Sequence, residues 1–211
     1  MTHPAKSPAT HDSALRTPGR RWRWVLLTLL VVGVVASGVW YRQHQRYKHF
    51  AVHEAGKVYR SAWLDSDVFA ELIPRYHVKT VVNLCYPGEM GNDRSEAQRE
   101  AVSRAGAKLI ELSFPPNDSW DLNYASVGEM ERILDDPANY PIWIHCQHGR
   151  ERTVKALAMY DLRERHLSAQ DSLLKMPLFG MPHPWHVVVF AHNYETQLHD
   201  QSTADRPAER R

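Results

Sequence analysis

The sequence predicts an α/β fold: a mainly parallel central sheet flanked by helices, preceded by one transmembrane helix. Three observations predict it. Short β-branched apolar runs alternate with amphipathic stretches beyond residue 57, the order that builds a parallel sheet covered on both faces. An uncharged run occupies residues 25–40, close to the roughly 17–25 residues that cross a bilayer. Residues 145–153 read His-Cys-x-x-Gly-x-x-Arg-Thr directly after the apolar run Pro141-Ile142-Trp143-Ile144, a strand feeding a loop and then a helix.

The elements follow in order. Residues 1–19, rich in Pro, Ser, Thr, Ala and His, read as a disordered leader. Residues 20–41 read as a single-pass membrane anchor. Trp22, Trp24, Trp40 and Tyr41 lie where interfacial aromatics belong, and the similar numbers of cations on its two flanks leave its orientation open. The competing reading is a signal peptide cleaved at Val34-Val35-Ala36. Against it, the apolar run continues past Ala36 into an aromatic and basic flank. Residues 42–56 read as a polar, basic linker, 57–199 as the folded domain, and the charged residues 200–211 as a disordered tail.

Inside the domain, residues 80–85, 108–114 and 141–145 read as buried strands. Residues 95–105 and 124–134 have helical spacing; Gly106 closes the first and Pro137 follows the second. Val154, Leu157, Ala158 and Leu162 continue a helix after the signature, Ser168 is placed to cap another, and residues 185–198 form a last one.

The 211 residues carry a net charge of +2, which gives no electrostatic case for a nucleic-acid partner. The two cysteines, Cys85 and Cys146, exclude a disulfide framework as the basis of the fold. No metal or other cofactor is implied.

The signature carries the chemistry. A loop between a strand and a helix N-terminus turns its N–H groups and a positive dipole end towards one point. That environment stabilises a thiolate, which makes Cys146 the candidate nucleophile. Arg152 offers a planar fork for two oxygens of an anion. Gly149 is expected where the backbone passes close to the anion. Thr153 is placed to donate a hydroxyl hydrogen bond to Cys146, and His145 to order the loop. Gln147, His148, Gly149, Arg150 and Glu151 complete it. Upstream, Asp118 and Asp121 lie in a loop 28 and 25 positions before Cys146. Each is a candidate general acid, and each could equally serve as an ordinary turn aspartate. Cys85 ends a predicted parallel strand, the edge where ligand sites of such sheets lie.

These residues resemble the phosphate-binding signature of the protein tyrosine phosphatase superfamily, the cysteine-dependent phosphatases. Val58-Tyr59-Arg60-Ser61, residues 78–84 and residues 175–180 resemble stretches of its compact, dual-specificity-like members. The resemblance implies a dual-specificity phosphatase-like fold and hydrolysis of phosphomonoesters through a phosphocysteine. Asn117-Asp118-Ser119 resembles the general-acid loop of dual-specificity phosphatases and favours Asp118, with Asp121 as the alternative. The substrate implied first is a phosphoprotein, through tyrosine or dual specificity. A phosphoinositide or inositol polyphosphate is the alternative, because basic residues at the positions of His148 and Arg150 contact extra phosphates in lipid and inositol phosphate phosphatases. Glu151 is expected to offset them in part. Cys85 resembles the redox partner that protects the nucleophile by a reversible disulfide in some members. More distant readings are a rhodanese-type sulfurtransferase and a non-catalytic phosphate-binding scaffold.

Overall fold

The computed structural model describes residues 20–204 apart from Asn117 and residues 177–181. The leader expected over 1–19, the tail beyond Ala204 and most of the 175–180 stretch lie outside the described residues. The chain divides into two compact units, one ending at Gln43 and one beginning at His44. Helix α1, Arg20–Arg46, accounts for the described part of the first. Its apolar side chains are exposed all round, Trp22 and Trp40 among them. Its 27 residues extend about 40 Å at 1.5 Å per residue. It is the one helix among the described residues long and apolar enough to cross a membrane.

The second unit is built on a five-stranded sheet of order β1-β2-β5-β3-β4. The strands are β1 (Ala51–Glu54), β2 (Val58–Ser61), β3 (Thr80–Asn83), β4 (Lys108–Glu111) and β5 (Ile142–His145). Strand β1 pairs antiparallel with β2; the other pairings are parallel. The sheet therefore starts inside the stretch expected to be a linker. Ala51-Val52-His53-Glu54 has no apolar run to announce a strand because it is an edge strand, one side of which needs no core. The 108–114 segment also differs from expectation: β4 is the opposite edge and only half-buried.

Alternation along the strands fills two cores. Ile142, Ile144, Val58 and Val82 face one side, where α4 (Ala125–Asp135), α5 (Arg152–Glu164), α6 (Ala169–Leu174) and α7 (Trp185–Ala204) pack. Trp143, Tyr59 and Val81 face the other, covered by α2 (Ser66–Arg75) and α3 (Asn92–Arg104). Helix α2 is not among the expected elements, although its buried Val68, Phe69, Leu72 and Ile73 form an amphipathic stripe. Two expected helix ends hold. Ser168 Oγ accepts from the Asp171 N–H at 3.0 Å. Gly106 takes a left-handed φ of 77° after α3, with the Ala107 N–H returning to the Val102 carbonyl at 3.1 Å.

The parallel register aligns Ser61, His145 and Asn83 at the carboxyl ends of β2, β5 and β3. The signature loop rises from that edge, where ligand sites of such sheets form.

Candidate active site

Strand β5 ends at His145 and helix α5 begins at Arg152, so residues 146–151 form the loop between them. Cys146 is buried at its base. Its Sγ accepts from the Gly149 N–H at 3.3 Å and from Thr153 Oγ1 at 3.1 Å. Two donors and the start of α5 thus converge on the sulfur, the arrangement that stabilises negative charge there. The Thr153 contact is the one anticipated from spacing.

Gly149 has a φ of 66°, and a Cβ there would lie 2.5–2.6 Å from the Ser61 and Ala62 backbone. The glycine is therefore required by the crossing of the loop over the end of β2, and not only by the approach of an anion as expected.

His145 is wholly buried, and burial pushes its pKa down to about 3. Its Nε2 lies 2.7 Å from Nε2 of Gln98. An amide nitrogen only donates, so this ring nitrogen accepts and the ring is neutral. Gln98 Oε1 accepts from Asn83 Nδ2 at 3.2 Å, and Asn83 Oδ1 accepts from the Cys85 N–H at 3.0 Å. This buried chain locks the ends of β5 and β3 together, where His145 was expected to order the signature loop.

Arg152 is buried and meets a partner that sequence reasoning missed. Its Nη1 donates to Glu89 Oε2 at 2.7 Å and to the Leu84 carbonyl at 3.0 Å, and its Nη2 donates to Glu89 Oε1. These bonds hold the Glu89 carboxyl below the usual carboxylate range. Arg152 lies 5.8 Å from the Tyr86 ring centroid, and its Nε–H is buried without an acceptor among the described residues. Three of the five guanidinium N–H groups are thus taken by Glu89 and Leu84, and the Nε–H and the second Nη2–H, side by side on one edge, remain as a fork for an anion. Nothing local in Tyr86-Pro87-Gly88-Glu89 signals a partner 63 positions away.

Asp118 and Asp121 are both exposed. The Asp121 carboxylate accepts from the Asn123 N–H at 2.9 Å and from Asn123 Nδ2 at 2.7 Å, which makes it a turn residue. The Asp118 carboxylate makes no hydrogen bond among the described residues and so remains available. Asn117, in the motif that favours it, lies outside the described residues.

His148 is exposed, and its carbonyl accepts from His49 Nδ1 at 2.6 Å. Burial lowers the His49 pKa, the His148 carbonyl opposes this, and the charges of Lys48, Arg60 and Arg150 lower it further. Three cationic side chains, Lys48, Arg60 and Arg150, thus gather around His49 beside the loop. The Glu151 carboxylate accepts from His186 Nε2 of α7 at 2.7 Å. The Gln147 carbonyl accepts from the Trp63 N–H at 3.1 Å. The Gln147 N–H faces the sulfur of Cys85. The Cys85 thiol is buried, and burial, then the Glu89 charge, pushes its pKa up to about 12. Both cysteines are free thiols.

No protein-family model matches the chain. The chain is 30% identical over 106 residues to the inositol diphosphatase SIW14 of Saccharomyces cerevisiae. That match covers 48% of this chain and 35% of SIW14, so it spans about a third of the relative's length. Among solved structures, the SIW14 core catalytic domain in complex with citrate superposes with a TM-score of 0.54 at 22% identity, over 74% of this chain and 92% of that one. TpbA of P. aeruginosa in complex with pTyr gives 0.53 at 22%, over 72% and 88%. PTPMT1 in complex with PI(5)P gives 0.54 at 12%, over 70% and 95%. A mostly parallel sheet, a cysteine loop at its carboxyl edge and these neighbours agree that the chain has the fold of the cysteine-dependent phosphatases of the protein tyrosine phosphatase superfamily.

Proposed function

We propose that this protein is a cysteine-dependent phosphatase acting on a multiply phosphorylated inositol, either a soluble inositol phosphate or a phosphoinositide headgroup. The observation that carries the substrate class is the gathering of Lys48, Arg60 and Arg150 around His49 beside the loop. A cavity of about 260 Å³, lined in part by Lys48, Gln147 and His148, opens next to it. Arg46 and Arg94 share its wall but are answered by Asp67, Glu71 and Asp65. One phosphate would engage the loop while neighbouring phosphates meet the cations. The likeness to SIW14 and PTPMT1 supports this over the protein phosphotyrosine reading that the sequence suggests first. The phosphotyrosine reading keeps the TpbA likeness in its favour.

In the proposed reaction Cys146 Sγ attacks phosphorus and the bond to the leaving oxygen breaks. Arg152 and the loop N–H groups hold the phosphoryl oxygens as charge develops on them. Asp118 gives its proton to the leaving oxygen. Asp118 then takes a proton from water, which cleaves the phosphocysteine, and the Thr153 hydroxyl stabilises the departing thiolate. The test is a panel of inositol hexakisphosphate, phosphoinositide vesicles and a phosphotyrosine peptide on the full chain, with Cys146→Ser as control. Turnover of the inositol compounds that Arg150→Ala reduces at least tenfold, with the peptide spared, is expected. Faster turnover of the peptide, unaffected by Arg150→Ala, would overturn the substrate class. Activity retained by Cys146→Ser would overturn the mechanism.

We also propose that residues 20–41 tether the enzyme to a membrane, supported by the length and apolar composition of the helix there. A tether would suit a lipid headgroup.

A further inference from the structure

Helix α5 is buried along residues 152–162, and Lys155 stands in that stretch with no exposed surface. A lysine is rarely buried to that degree unless its ammonium is answered. Here the Nζ donates to the Pro116 carbonyl at 2.9 Å and to the Ser119 carbonyl at 2.6 Å. It lies 5.7 Å from the Phe190 ring centroid of α7. The two carbonyls are the ends of one turn, closed by the Ser119 N–H on the Pro116 carbonyl at 3.1 Å. Asp118 sits within that turn. Lys155 follows Arg152 by three positions on the first turns of α5. One ammonium therefore joins the segment carrying the candidate acid to the helix carrying the candidate phosphate-binding arginine.

We propose that Lys155 is a positioning residue that clamps the 116–119 turn to α5 and so holds Asp118 over the phosphate loop. The proposal rests on the reading of Asp118 as general acid. Burial pushes the Lys155 pKa down to about 8, against the charges of Glu151 and Asp118, so the clamp is held at a desolvation cost. An apolar side chain would fill the same space without that cost. A lysine kept there is explained by what it holds, since the Asp118 side chain is exposed.

The experiment compares phenyl phosphate, whose leaving phenol has a pKa of about 10 like that of tyrosine, with 4-nitrophenyl phosphate, whose leaving group departs with little help from an acid. General acid catalysis contributes about 10²–10⁴-fold. Lys155→Met in the full chain should lower kcat for phenyl phosphate about 10- to 100-fold and for 4-nitrophenyl phosphate less than about threefold. Asp118→Asn should show the same selectivity, and Asp118→Asn/Lys155→Met should lose no more than Asp118→Asn alone, because the two act through one group. Should the methionine variant not fold, Lys155→Gln, which keeps an N–H donor, is expected to give a smaller change of the same selectivity. Equal losses on both substrates, or losses that multiply in the double variant, would overturn the clamp alone. Asp118→Asn without leaving-group selectivity would overturn the reading of Asp118 and the clamp with it.

Discussion

Replacing Gly149 by alanine tests the loop geometry most directly. The new Cβ would sit 2.5 Å from the Ser61 carbonyl oxygen and 2.6 Å from the Ala62 nitrogen. Neither neighbour can yield easily. Ser61 pairs with His145 in the sheet, and the Ala62 N–H is bonded to the Lys48 carbonyl at 3.0 Å. A left-handed alanine costs roughly 1–2 kcal/mol and overpacking roughly 1–3, which together give about 2–5 kcal/mol. At about 2–4 °C per kcal/mol for a unit of this size, the melting temperature should fall by about 4–20 °C. Relief by moving the loop would carry the Gly149 N–H away from Cys146 Sγ, so activity should fall by about 10²–10³, the usual loss for one such donor. Gly128, inside α4, is the control, since a methyl group added there would meet nothing within 4 Å. Gly128→Ala should raise stability by about 0.5–1 kcal/mol through helix propensity. Thermal unfolding of the full chain in detergent, with phosphatase assays alongside, reads both. A Gly149→Ala protein that melts and turns over like the parent would refute the argument.

Other outcomes follow from the same geometry. Glu89→Gln should lower kcat/KM about tenfold while leaving Cys146 in place, since Arg152 then loses its charged backstop; unchanged kinetics would show that the pair does not orient the guanidinium. His145 is neutral in the fold and takes a proton from pH 6.5 downward when unfolded, so its contribution is full above that pH and is lost as pH falls towards about 3. Urea midpoints measured from pH 7 to pH 4 should show a slope of up to about 1.4 kcal/mol per pH unit that His145→Gln removes. Peroxide should inactivate the enzyme reversibly in the parent and irreversibly in Cys85→Ala; equal recovery of the two would end the protective role proposed for Cys85. The full chain should remain with membranes after alkaline carbonate extraction, whereas a chain lacking residues 1–43 should be released.

The site divides between what one stretch of chain carries and what several stretches must meet to make. Residues 141–153 alone determined a strand, a loop, its candidate nucleophile, the Thr153 donor and the helix that follows. All of these depend on neighbours a few positions apart, where β-branched runs, helix starts and glycine have local causes. The 80–85 strand, the Gly106 terminus and the Ser168 cap were legible for the same reason. Strand β1 and the half-buried edge β4 were not, because edge strands lack the apolar alternation that marks a covered one. The 117–119 motif already favoured Asp118 over Asp121, and the structure adds that the Asp121 carboxylate is engaged in its own turn. Only the tertiary structure brought Glu89 to Arg152 across 63 positions, and Lys155 to Pro116 and Ser119 across 39 and 36. It also showed that Gly149 answers to the Ser61 backbone. Those contacts arise because the parallel order β2-β5-β3-β4 gathers the carboxyl ends of distant strands at one edge, and the periodicity of a single segment holds no record of which other segment it will face.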